Sequence, residues 1–329
     1  MKLGRIYIGT PTMLVRAFFV GWLAMMITTP AWAASFVYVA GGAGSGSGGK
    51  IAVIDANPAS PTFNTVVATV PNTPFAENLA ITPDGSRGYV TNADGTVSVL
   101  DTNPASSTFN TVVATVTPPG GPPIFGVATA MALTPNGSRA YTGSRWDPTS
   151  GTAFDSVIDT VPTSSTYNTV VATIGTGFHA STNAIAITPN GSRAYMTGEQ
   201  TLTLNPAPVP SCNNVPCTYG NVVEVVDTAT NGLSAFLTPS LNCSTIGVVI
   251  TPDGSRAYVT DSCQQNVVDL STNTVTTIPL SSQVPNALIG LAITPDGNHA
   301  YLSANNQTDG LVLVIDTNSA SATYNTDFQ

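Results

Sequence analysis

The stretch ITPDGSRGYVTN at 81–92 returns, scarcely altered, four more times: LTPNGSRAYTGS at 133–144, ITPNGSRAYMTG at 187–198, ITPDGSRAYVTD at 250–261 and ITPDGNHAYLSA at 293–304. A phrase spelled five times in one chain makes the fold modular, because the same local physics must build the same unit each time. The phrase decodes as a β-hairpin. Thr-Pro-Asp/Asn-Gly puts proline where a type I turn wants its fixed φ, and glycine where a left-handed residue restarts the strand. An apolar run precedes it (NLAI, AMAL, AIAI, GVVI, GLAI), and a run rich in aromatic and β-branched residues follows.

Two further strands follow each hairpin. One closes on aspartate (IAVID, VSVLD, DSVID, VVEVVD, NVVD, LVLVID), with Asp55, Asp101, Asp159, Asp227, Asp269 and Asp316 at the end. The other reads TVVATV at 65–70 and 111–116, TVVATI at 169–174, and more loosely at 232–238 and 274–280. We label the four strands of a unit A to D. Tyr38, Tyr89, Tyr141, Tyr195, Tyr258 and Tyr301 mark the period, with spacings of 51, 52, 54, 63 and 43 residues. Four short strands every ~40–50 residues predict the blades of a β-propeller, an all-β fold of four-stranded antiparallel sheets. The nearly continuous apolar C and D strands agree, since neighbouring blades cover both faces of each sheet.

Six blades are readable, at about 34–78, 79–130, 131–184, 185–246, 247–289 and 290–329. Blade 1 begins directly at strand B (FVYVA, 36–40), and YNTDFQ (324–329) stands where blade 6 needs strand D. The expectation is an incomplete ring, with the closing strands and even a whole further blade beyond Gln329. The alternative is a six-bladed ring whose terminal strands have diverged.

TPDGSRAYVT, VIDT and NTVVATV resemble the words of the YVTN-repeat β-propeller family, which includes periplasmic proteins of the YncE type and surface-layer propellers. The likeness runs over about residues 36–326. It implies a propeller, usually seven-bladed, exported from a bacterial or archaeal cell. The shared words are structural, so the resemblance carries over no catalytic residue.

The first 33 residues stand apart. Lys2, Arg5 and Arg16 precede or flank the apolar run AFFVGWLAMMIT (17–28), and Ala31-Trp32-Ala33 supplies a small-x-small cleavage pattern, together a secretory signal. Residues 34–329 are then a single domain, exported to the periplasm, the cell surface or the medium, and not membrane-spanning once the signal is removed. Of nine Lys+Arg and eighteen Asp+Glu, three cations leave with the signal, for a mature net charge of about −12. Such a field repels nucleic acid and anionic lipid and excludes both as principal partners.

An oxidising compartment favours disulfides among the four cysteines. Cys243 and Cys263 flank one TPDG hairpin symmetrically and should face each other, leaving Cys212 and Cys217 to pair within SCNNVPC. Two other connectivities stay open.

Subtracting the repeat isolates residues free to act. The turn aspartates, the strand-C aspartates and Arg87, Arg139, Arg193 and Arg256 recur in fixed slots, and His299 takes the arginine slot of the last copy. What is left is Lys50, Glu77, Asp94, Arg145, Asp147, Asp155, His179, Glu199, Glu224, Asp261, Asp309 and Asp327. Glu77 and His179 fall in D–A loops. Most of the others fall in B–C loops, with Glu224 inside a C strand. In an up-and-down blade these two loop types share one rim, so the unrepeated charges gather there. The B–C loops also vary from a few residues to over twenty, whereas the C–D loops are near copies. Variable loops on a rigid frame are where specificity sits.

The candidate binding face is therefore Glu77, Asp94, Arg145, Trp146, Asp147, His179 and Glu199. Trp146 is the only tryptophan after the signal, and between two opposite charges it could stack on a sugar or peptide. Phe75, Phe125 and Phe178, in successive D–A loops, suit packing between blades. GSGSGGK (44–50) mimics a phosphate loop, but a strand follows it rather than a helix, which makes it a linker. No cofactor or metal is predicted, because CxxxxC lacks companion histidines. No fixed spacing ties a nucleophile to His179, the only plausible general base. The expected function is a non-catalytic binding or scaffold module for a cell-envelope ligand or protein. The rivals are a lactonase-like propeller hydrolase, with Glu77 and Asn183 helping a metal at the channel mouth, and the front part of a longer displayed surface protein.

Overall fold

The computed structural model describes residues 36–41, 50–71, 73, 76–117, 130–143, 154–175, 181–202, 218–237, 245–261, 265–278, 288–305 and 310–328. The signal-like segment lies outside them, as do all four cysteines. Every described element is a strand.

Blade 1 contains Phe36–Gly41, Lys50–Asp55 and Val66–Val70, and blade 2 contains Ala76–Ile81, Arg87–Asn92, Val97–Asp101 and Thr111–Val116. Blade 3 is Ala130–Leu133, Arg139–Gly143, Phe154–Asp159 and Val170–Gly175, and blade 4 is Ser181–Ile187, Arg193–Leu202, Thr218–Asp227 and Gly232–Leu237. Thr245–Ile250, Arg256–Asp261, Gln265–Asp269 and Thr274–Ile278 form blade 5; Leu288–Ile293, His299–Asn305, Gly310–Asp316 and Asp327–Phe328 form blade 6. Each sheet is an antiparallel meander in chain order. The A strands of blades 2 to 6 lie side by side at the centre, which defines a β-propeller. The described part of blade 1 lacks an A strand, as the sequence implies. Blade 6 differs from expectation: Asp327 and Phe328 pair with Ile315 and Val314 as a two-residue strand D.

The alternation of side chains explains the apolar C strands. In blade 2, Val90 and Leu100 join the core shared with blade 1, while Tyr89, Val97 and Val99 join the core shared with blade 3. The pattern repeats through blades 3 and 4, 4 and 5, and 5 and 6, giving five apolar interfaces for six blades. Each fully buried Val or Leu there contributes about 1.5–3 kcal/mol.

The repeat words hold the A–B/C–D rim together. Each C-strand aspartate ties down its C–D turn. Asp159 accepts the hydroxyls of Ser164 and Thr166 at 2.6 Å and the Val161 amide at 3.0 Å, and it pairs with Arg139 at 2.9 Å. Burial pulls its carboxyl upward, but these hydroxyl and amide donors outweigh that and hold it below the usual carboxylate range. Arg87 repeats the pairing with Asp101 at 3.0 Å. The TPDG glycines serve twice. Gly137, Gly191, Gly254 and Gly297 have φ between 68° and 74°, and each packs on the turn proline of the preceding blade (Pro83, Pro135, Pro189 and Pro252). At Gly137 an added Cβ would stand 2.9 Å from Pro83 Cδ, so the slot excludes any side chain.

A second inter-blade device was not read from the sequence. Asn64, Asn110, Asn168, Asn231, Asn273 and Asn325, one per blade in the C–D turn, all have φ between 53° and 60°. Each of the last five accepts the hydroxyl of the preceding blade's repeat tyrosine. Tyr38 reaches Asn110, Tyr89 Asn168 and Tyr141 Asn231 at 2.7 Å, Tyr258 reaches Asn325 at 3.0 Å, and Tyr195 reaches Asn273 at 3.4 Å. A left-handed asparagine at that turn aims its carboxamide at the neighbour. Burial of these rings raises the Tyr38, Tyr89 and Tyr258 hydroxyl pKa values, so each remains a donor over the physiological range.

Candidate functional site

Antiparallel pairing puts the B–C and D–A ends of every blade on one rim. In blade 2, Ala76 lies opposite Asn92, and Val97 lies opposite both Thr91 and Val116. Just beneath this rim runs a layer of buried polar side chains: Asn78, Thr91, Asn92 and Ser98 in blade 2, Thr142, Asp155 and Ser156 in blade 3, Thr182, Thr197 and Glu224 in blade 4, and Thr260, Gln265 and Asn266 in blade 5. Thr91, Thr197 and Thr260 fill one recurring slot two residues after the repeat tyrosine, and most of the others vary from blade to blade. All the buried side-chain atoms without a hydrogen-bond partner among the described residues belong to this layer: Asn92 Oδ1, Thr197 Oγ1, Glu224 Oε2, Thr260 Oγ1 and Gln265 Oε1. A buried polar atom without a partner costs about 1–3 kcal/mol, so proteins concentrate such atoms where something else will meet them.

The layer is most charged between blades 3 and 4. Asp155 is 0 % exposed and Glu224 5 %. Asp155 accepts the Thr182 hydroxyl on both carboxylate oxygens, at 3.0 and 2.9 Å. Thr182 itself presses into the space that Gly143 leaves, 2.7 Å from where a Cβ there would be. Burial first, and the negative charge of Asp155 second, push the Glu224 carboxyl up to about 8. At neutral pH Glu224 therefore keeps its proton and can donate, beside Asp155, whose carboxylate oxygens both accept the Thr182 hydroxyl.

Several residues read as loop charges lie in strands. Asp155 is buried inside the C strand Phe154–Asp159, not in a B–C loop, and Glu199 is in the long B strand Arg193–Leu202, opposite Asn221. Lys50 begins strand Lys50–Asp55, and Asp261 ends strand Arg256–Asp261. Asp94 does sit in a B–C turn, but its carboxylate accepts the Thr96 amide at 3.0 Å and hydroxyl at 2.6 Å, closing its own hairpin. Glu77 is the extra residue of a β-bulge that begins the A strand of blade 2, and Asn183 is its counterpart in blade 4. Bulges re-aim side chains, so these two sequence-flagged residues share one slot on the central strands two blades apart. Arg145, Trp146, Asp147 and His179 lie outside the described residues. Among the described residues no three His, Cys, Asp or Glu side chains gather as a metal site.

Sequence reading separated Asp155 and Glu224 from the repeat but did not bring them together. Superposing the six C strands brings them out. The slot four residues before the closing aspartate is Ile51, Val97, Val223 and Val312 in four blades but Asp155 and Gln265 in the other two. The next slot holds Glu224 and Asn266 against Ala52 and Leu313. The opposite rim carries a polar groove of ≈ 190 Å³ lined by Asp253, Arg256, Asp296 and Asn298. It is made of repeat words and is a by-product of the turn girdle.

Fold and rim together define the class, a β-propeller with a repeat-built frame and a polar, incompletely satisfied rim. No protein-family model matches the chain, and no curated protein does. Among solved structures it is similar to hydrazine synthase of Kuenenia stuttgartiensis, with a TM-score of 0.64 and 18 % identity over 87 % of this chain and 74 % of that one. At that identity the likeness shows the propeller fold alone.

Proposed function

We propose that the chain is an exported, non-catalytic β-propeller of the YVTN-repeat type, which binds a cell-envelope ligand or protein through its B–C/D–A rim. The observation that carries this reading is the gathering of every described orphan polar atom beneath that rim, while the other rim is satisfied by its own repeat words. Export and the repeat type rest on the signal-like N-terminus and on the recurring TPDGSRAYVT, VIDT and NTVVATV words. A layer of amide, hydroxyl and carboxyl groups suits a neutral polyhydroxyl or peptide ligand, each group meeting a donor or acceptor of the ligand.

The test is a titration of the signal-free chain with soluble cell-wall glycans and peptides, followed by the fluorescence of Trp146. A saturable change, weakened at least tenfold (about 1.4 kcal/mol) by Gln265→Leu, is the expected result. No response across that panel removes the reading. Lactone hydrolysis that Glu77→Gln abolishes would replace it with the hydrolase alternative.

A further inference from the structure

The C–D turns of blades 4 and 5 are a matched pair. DTATNG (227–232) and DLSTNT (269–274) have the same length and carry a left-handed asparagine in the same place, Asn231 at φ 53° and Asn273 at φ 57°. Each asparagine accepts the tyrosine hydroxyl of the preceding blade, from Tyr141 at 2.7 Å and from Tyr195 at 3.4 Å. In each turn the next amide donates to a threonine hydroxyl, Gly232 N to Thr230 Oγ1 at 3.2 Å and Thr274 N to Thr272 Oγ1 at 3.3 Å. The residue after the asparagine sets blade 4 apart. It is glycine there and threonine in the other five blades.

The backbone does not ask for that glycine. Gly232 has no left-handed φ, and an added Cβ would meet only the side chain of Thr230, in its own turn, at 3.1 Å. What glycine changes is the chemistry. An asparagine carboxamide is open to attack by the backbone nitrogen that follows it, and glycine offers a nitrogen with no side chain to shield it on the freest backbone. Asn-Gly also occurs at Asn136 and Asn190, in the TPNG turns. There the glycine is locked. Gly137 and Gly191 give their amides to the Thr134 and Thr188 carbonyls at 2.8 and 2.7 Å, hold left-handed φ, and pack on Pro83 and Pro135 of the preceding blade. No described atom of a neighbouring blade comes within 4 Å of the Cβ position at Gly232.

We propose that Asn231-Gly232 is a self-modification site, where water converts the joint asparagine to aspartate and isoaspartate, and the isoaspartate form releases the joint between blades 3 and 4. The Gly232 nitrogen bonds to Asn231 Cγ and gives up its proton. The Cγ–Nδ2 bond breaks, and Nδ2 leaves with that proton as ammonia. Water then opens the imide ring at one of its two carbonyls, and nothing is oxidised or reduced. Opening at Cγ gives aspartate. Opening at the backbone carbonyl routes the main chain through the former side chain, which breaks the left-handed turn and takes the acceptor from Tyr141. Either product adds a negative charge to a turn whose Asp227 lacks the ion pair of Asp101 and Asp159, because Arg193 reaches the Leu270 carbonyl of blade 5 instead. The inference is independent of what the rim binds.

In the test, the full chain is held at neutral and at mildly alkaline pH, and conversion of each asparagine is followed by peptide mass spectrometry, with isoaspartate told from aspartate by fragmentation. Asn231 should convert at least about tenfold faster than Asn273. It should also outpace Asn136 and Asn190, at a rate that climbs with pH because the attacking amide must lose its proton. In urea the three Asn-Gly sites should converge on one rate, since only the fold tells them apart. Gly232→Thr should bring Asn231 down to the rate of Asn273, and Thr274→Gly should raise Asn273 to that of Asn231. The two variants together keep the comparison decisive should one fail to fold. Chains with isoaspartate at position 231, isolated by chromatography, should unfold at lower urea than unconverted chains. Equal rates at Asn231 and Asn273, or faster conversion of Asn136 or Asn190 in the folded chain, would overturn the site. An unchanged urea midpoint would overturn the release.

Discussion

The two rims of this propeller use the same residue types to opposite ends. On the A–B/C–D rim, aspartate, threonine and serine are satisfied by the turns of their own blade. Asp101 accepts Ser106 Oγ, Thr108 Oγ1 and the Asn103 amide, and Thr102 gives its hydroxyl to the Gly85 carbonyl. On the B–C/D–A rim, threonine, glutamine, asparagine and glutamate are buried with atoms unmet. Polar groups stabilise the frame where their partners are local and recur with every repeat. On the other rim they are buried with atoms unmet, at the recurring threonine slot (Thr197, Thr260) and at positions that vary between blades (Asn92, Glu224, Gln265). The difference teaches that burial of a polar residue does not by itself mark a site; burial without a partner does.

Four measurements would break or sharpen that contrast, in falling order of effect. Asp159→Ala strips the acceptor from Ser164, Thr166, Val161 and Arg139 together. It should destabilise by about 3–5 kcal/mol in urea titration while leaving rim binding intact in whatever fraction stays folded. Equal loss of binding per folded molecule would mean the rims are not separable. Gly137→Ala forces an L-residue to φ 68° with its Cβ against Pro83, a loss of about 2–3 kcal/mol.

Glu224→Gln should act through pH. The folded chain holds the Glu224 proton up to about 8, whereas the unfolded chain releases it near 4.5. Stability should therefore fall as pH rises between those values, by up to about 1.4 kcal/mol per unit, and level off above 8. The glutamine variant should flatten this slope, and an unchanged slope would remove the protonated carboxyl from the rim's description. Least of all, Tyr89→Phe should cost about 1 kcal/mol by losing Asn168, while Tyr301→Phe should cost nothing measurable in the 329-residue chain. Equal costs for the two would refute the one-way latch.

Much of the frame was legible because repetition turns one chain into its own alignment. The TPDG hairpins, the C-strand aspartates and the arginine slot could all be placed by comparing copies, and strand period 2 assigned their faces. The left-handed asparagines are not evident from sequence even though FNT, YNT or TNT stands in five copies and TNG in the sixth. Their function is a contact with the next blade some 70 to 90 residues away, and spacing within a unit does not reveal that. The site was half legible for a related reason. Subtraction isolates Asp155 and Glu224 as unrepeated charges, but Asp155 opens the strand word DSVID and, at a strand's first residue, reads as readily as the end of the preceding loop. Glu77 and Asn183 were noticed as a pair, yet only the bulge register shows that they hold equivalent positions.

Because every joint joins a fixed group on the earlier unit to a fixed group on the later one, tyrosine to asparagine and proline to glycine, a duplicated segment arrives with both halves of its attachments already matched to its neighbours. Copying any interior unit inserts a module without redesigning the seams on either side. Such a lineage can lengthen by simple genetic stutter, and novelty is then free to accumulate in the few strand positions and variable loops that the seams do not use.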